Sequence, residues 1–142
     1  MSGVANHTMH LGGASTEFLE LRFGRVFEED PEPYRGVELT LDFSFGAFSG
    51  GCGAVVFAPE LHRLRRELEL LSRTLNGRFQ FATLEDQFGF SLAMEATGQA
   101  LFSGHILDQA GVGNRLEFET RIDQTYLARA LEGLSAFIED RL

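Results

Sequence analysis

Apolar and polar residues alternate along most of the chain, and twice the period lengthens from two to that of a helix. In Glu17–Phe23, Leu19, Leu21 and Phe23 alternate with Glu20 and Arg22, which predicts a half-buried strand. The clearest strand is Val37–Phe45, where Val37, Leu39, Leu41, Phe43 and Phe45 face one way and Glu38, Thr40, Asp42 and Ser44 the other. Such alternation implies an antiparallel sheet with one wet face. Between these strands, Arg25–Gly36 holds Glu28, Glu29, Asp30, Glu32 and two prolines. Proline has no donor for a ladder, so an exposed acidic loop is expected there. Gly46–Gly53 contains four glycines and reads as a bent hairpin or bulge before a short buried strand, Ala54–Phe57.

The first helix starts at Pro59, where a first turn tolerates proline. Its apolar stripe is Leu61, Leu64, Leu68, Leu71 and Leu75, with Arg63, Arg66, Glu67, Glu69 and Arg73 opposite and Asn76-Gly77 as a left-handed stop. Period two then returns at Phe79 and Phe81, at Phe88–Met94, and at Leu116–Ile122. Gln99–Leu107 has a mixed pattern that suits burial on both faces, and Ala110–Asn114 reads as a hairpin loop. Asp123 is the expected N-cap of a closing helix with the stripe Leu127, Ala130, Leu131, Leu134, Phe137 and Ile138. The expected order is three strands, a helix, four strands and a helix. This makes an α+β domain with one antiparallel sheet of about six to seven strands, covered on one face by two amphipathic helices. The phenylalanines are assigned to the sheet–helix interface, and no internal repeat is evident.

Length agrees with one domain: 142 residues, of which 44% are hydrophobic. Residues 1–16 are small and polar, lack the basic start and apolar stretch of a signal peptide, and read as a disordered tail before a domain over 17–142. No apolar run approaches the roughly 18–20 residues that span a bilayer. With one cysteine, Cys52, and no CxxC motif, a cytoplasmic setting is the default expectation.

Charge changes the picture more. Twenty-one acidic residues face twelve basic ones, every one arginine, for a net charge of -9. Nucleic-acid binding needs a basic face, so it is not expected. The glycine-rich segment lacks the lysine and Ser/Thr of a phosphate loop and is followed by a strand rather than a helix. Ser49 and Cys52, with His62 or His105 as base, form no recognisable nucleophile motif in sequence. His7 and His10 have no companion ligands nearby, so neither a metal nor a cofactor is expected. The one functional signal is acidic: Glu28, Glu29, Asp30 and Glu32 in the loop, with Glu38, Asp42, Glu117 and Glu119 on wet strand faces. Together they are the expected docking surface for a basic protein partner. An alternative is a small-molecule binder or enzyme with a pocket near residues 46–53, and an exposed strand edge leaves monomer and homodimer both open.

The chain resembles the WapI-type bacterial immunity family. The resemblance lies in the opening strand Phe18-Leu19-Glu20-Leu21-Arg22-Phe23, the first helix Pro59-Glu60-Leu61 to Leu71, and the closing segment Leu116–Thr120 running into Asp123–Leu127. It covers most of 17–142 and implies a non-enzymatic protein that neutralises the nuclease tip of a cell-contact toxin. No binding residue carries over position by position.

Overall fold

The computed structural model describes residues 6–13, 17–28 and 35–142. Four strands, β1 (Thr8–Gly12), β2 (Glu17–Glu28), β3 (Arg35–Phe45) and β4 (Phe48–Phe57), precede α1 (Ala58–Thr74). Four more, β5 (Arg78–Ala82), β6 (Phe88–Met94), β7 (Gln99–Gln109) and β8 (Val112–Asp123), precede α2 (Gln124–Arg141). The expected α+β class with two helices and antiparallel pairing is observed, but as two four-stranded sheets, β1-β2-β3-β4 and β5-β6-β7-β8, rather than one of six to seven strands. The reason is α1: its seventeen residues separate β4 from β5, and each sheet closes on its own hairpins. The order of four strands and a helix therefore occurs twice, a repeat of architecture that the residues themselves do not display.

Other expectations are corrected locally. Thr8–Gly12, assigned above to a tail, pairs with β2, and Met9 and Leu11 are fully buried, so hydrophobic burial fixes the segment. Residues 1–5 and 14–16 lie outside the described residues. Both ends of the segment expected as an acidic loop are strand, since β2 runs to Glu28 and β3 starts at Arg35. Most of the glycine-rich segment is strand: the turn is only Gly46-Ala47, with Gly46 at φ 65, and Phe45 pairs with Phe48. A two-residue hairpin of this kind demands left-handed backbone, which glycine supplies. Leu75 itself takes the left-handed conformation that ends α1, one residue before Asn76. At the other end of α1, the Glu60 carboxylate accepts the Phe57 N–H at 2.8 Å. Asp123 caps α2 as expected, accepting from the Thr125 N–H at 2.9 Å.

The two inner faces and both helices share one core. Some phenylalanines face a helix, as Phe23 stacks on Phe137 of α2 with ring centroids 4.2 Å apart. Others join sheet to sheet: Phe45 stacks on Phe118 at 4.1 Å, and Phe102 packs edge-on against Phe118 at 5.0 Å and Phe90 at 5.5 Å. Each such ring contributes about 1.5–3 kcal/mol through burial.

Each sheet ends in two strands whose outward backbone groups need a partner. The His7 carbonyl accepts from Phe23, so by strand alternation Thr8 aims its own carbonyl away from β2. Gly133 of α2 sits against that carbonyl, in contact too close for any side chain. On β5, only five residues long, the Gln80 carbonyl accepts from Arg63 of α1 at 2.8 Å. β8 carries Arg115, Glu117, Glu119 and Arg121 along its length. β4 differs: residues 48–53 are exposed apart from half-buried Cys52, and they carry no charge.

Candidate functional site

With the inner faces buried together, the chemistry open to a partner lies on the outer faces. In sheet one, register places His10, Glu20, Asp42 and Gly51 in one cross-strand row. His10 approaches Glu20 at 3.2 Å, Arg22 donates to Asp42 at 2.7 Å, and Arg25 donates to Glu38 at 2.8 Å. The hydrogen bond from Arg25 to Glu38 pushes the guanidinium pKa further up. Asp42 also leans over Gly51, its Oδ1 3.0 Å from where a Cβ would stand.

In sheet two the outer face is small-sided. Gln80, Ala82, Gly89, Ser91, Ser103 and His105 line an open trough of about 260 Å³. Ser91 and Ser103 hydrogen-bond through their hydroxyls at 3.0 Å, while His105 lies beside Gly89 and approaches Asp86 Oδ1 at 3.1 Å. Glu117 and Glu119 stand opposite His105 and Ser103 on β8. A second hollow of about 400 Å³ lies between β1 and α2, lined by His7, His10, Arg129 and Glu132.

The eight acidic candidates therefore do not share one face. Glu38 and Asp42 lie on sheet one, each held by an arginine; Glu117 and Glu119 lie on sheet two. Glu28 ends β2 and is 3.9 Å from Arg35, and Glu117 is 3.2 Å from Arg115. Glu119 has no ion pair within 4 Å among the described residues. Glu29, Asp30 and Glu32 lie outside the described residues.

The nucleophile candidates are not brought together either. Cys52 points its thiol at the Leu107 carbonyl, 3.8 Å away, whereas His105 engages Asp86. Burial pushes the Cys52 thiol pKa up, with Asp108 and Asp42 adding to the effect, which is the opposite of activation. Asp108 is held below the ordinary carboxylate range by the Asn114 side chain and N–H, and so stays charged. His7 reaches Asp140 at 2.9 Å. No group of three or more metal-ligating side chains occurs among the described residues. Residues 46–53 line neither the trough nor the β1–α2 hollow. No helix of the described residues is long and apolar enough to cross a membrane.

Sequence reading missed Gln87. This buried side chain donates to the Gly53 carbonyl at 2.6 Å and to the Leu107 carbonyl at 3.2 Å, tying β4 to the second sheet. A glutamine in a polar turn carries no signal for such a role.

The model of the family described as Immunity protein WapI-like matches residues 10–140, from within β1 almost to the end of α2. No curated protein matches the chain.

Proposed function

The chain belongs to the WapI-like immunity protein family, and from that premise we propose that it acts without catalysis, binding a basic toxin domain and blocking it. The family match across residues 10–140 carries this reading. Charge supports it: at -9, the chain attracts a basic partner over distance and speeds encounter. A toxin domain that acts on nucleic acid has to present such a basic surface. The ion pairs of sheet one qualify the simplest version of the reading, because Asp42 and Glu38 already have partners. Of the acidic candidates in sheet two, Glu119 has no arginine within ion-pair distance among the described residues, whereas Glu117 meets Arg115.

The test is to mix the purified chain with the toxin domain encoded beside it. Inhibition near one-to-one stoichiometry, weakened by added salt, is expected. Full toxin activity at a clear molar excess of the chain would overturn the reading.

A further inference from the structure

We infer that the open edge of β4, Phe48–Gly53, is where the toxin domain docks, by adding one of its own strands to sheet one. This rests on the toxin-binding reading above and gives it a location.

Proteins blunt sheet edges because unpaired N–H and C=O groups template further pairing. Here α2 covers the Thr8 carbonyl of β1, Arg63 occupies the Gln80 carbonyl of β5, and alternating charges line β8. Residues 48–52 have none of these devices: the sequence is Phe-Ser-Gly-Gly-Cys, without proline or charge. Hairpin geometry says which groups are free. Phe45 and Phe48 flank a two-residue turn and so bond each other, which turns the N–H and C=O of Ser49, Gly51 and Gly53 outward. The Gly53 carbonyl confirms the direction, since it accepts from Gln87 in the turn between β5 and β6. Gln87 thereby closes the edge at one end. Between there and the turn, the outward groups of Ser49 and Gly51 make no backbone hydrogen bond among the described residues.

Two further features say what kind of strand fits. Phe48, 67% exposed at the far end, offers an apolar anchor. Asp42 reaches over Gly51, where the missing side chain leaves its carboxylate facing the edge. A residue added opposite Gly51 extends the row His10–Glu20–Asp42–Gly51, and an arginine or lysine there meets that carboxylate. Asp108, near enough to raise the Cys52 thiol pKa, adds negative potential. An edge strand from a basic protein satisfies all of these groups. Backbone hydrogen bonds supply affinity, and the carboxylates select the partner.

The experiment uses the full chain and the toxin domain encoded beside it, with binding followed by calorimetry and amide hydrogen exchange. Ser49→Pro removes one outward N–H and leaves the β3–β4 ladder intact, a placement that edge strands tolerate. It is expected to weaken binding at least about tenfold, and Phe48→Ala about as much. Both variants keep the wild-type melting temperature within a few degrees, because neither group is packed in the core. Glu69→Gln, on the exposed face of α1 and away from the edge, changes affinity by less than about threefold. On complex formation, the Ser49 and Gly51 amides gain exchange protection. If the wild-type chain binds and Ser49→Pro binds equally well, without new protection at those amides, the edge is not the site and the toxin-binding reading survives. If the wild-type chain fails to bind at all, that reading fails and takes this inference with it. A wild-type homodimer that Ser49→Pro dissociates, with toxin affinity unchanged, assigns the edge to self-pairing and also overturns the inference.

Discussion

The two halves of the molecule share an order of elements and little else. The first sheet buries leucine and valine, among them Leu19, Leu21, Val37, Leu39, Leu41 and Val56. The second buries phenylalanine at positions 79, 81, 88, 90, 102 and 118. Outside, the first sheet is crossed by ion pairs that satisfy its own charges, while the second presents the Ser91–Ser103 trough. The same chain path can thus be specified by different residues, because alternation sets which face is inside and leaves the type of residue free. The ion-paired face is also the less adaptable one. A partner binding there meets carboxylates already paired with arginines at 2.7–2.8 Å, exposed pairs worth about 1 kcal/mol or less each.

The contrast between the two halves is greatest at the aromatic hub. Phe102→Ala removes the ring that meets Phe90, Phe118 and Phe45, and is expected to cost about 3–5 kcal/mol in denaturant unfolding. A loss below about 1 kcal/mol would show that the second core repacks freely. Next is the link between the halves. Gly133→Ala places a methyl group against the Thr8 carbonyl and should destabilise by about 1–3 kcal/mol. Alanine favours helix over glycine by about 1 kcal/mol, so any net loss measures the contact itself. Smaller still is Arg22→Ala, which frees Asp42; stability should change by less than about 1 kcal/mol. Its signature is a reduced response of the melting temperature to added salt.

The last test sits on the second sheet. A hydrogen bond from Arg121 holds the Glu95 carboxyl below the ordinary carboxylate range. A depressed folded value means that the bond stabilises above the unfolded pKa and is lost as pH falls through the folded one. Glu95→Gln should therefore lose less melting temperature between about pH 6 and pH 3 than the wild type does.

Most strands and both helices were legible in the sequence because their patterns are long. The eleven residues of β3 and the leucine stripe of α1 leave no competing period. β1 was not legible: five residues between flanks of small and polar residues hold only Met9 and Leu11 as signal. The division into two sheets escaped for another reason. Alternation reports which face a residue takes, never which strand is its neighbour, so β4 and β5 could not be kept apart. The same limit applies at the surface. Glu38 and Asp42 were visible as outward acids, but their arginines come from β2, and only register brings Arg22 to Asp42. The open edge of β4 was hidden as well, since the glycines that leave it bare had suggested a bend.

The contact of α2 with β1 also sets a schedule for synthesis. Thr8 leaves the ribosome early, and Gly133 follows only after every strand has been made. Throughout that interval sheet one can pair internally but has two uncovered sides instead of one. The nascent chain is then open to its neighbours in a way the finished protein is not. Arrival of the final helix ends that exposure on the β1 side, and the β4 side stays open in the released molecule.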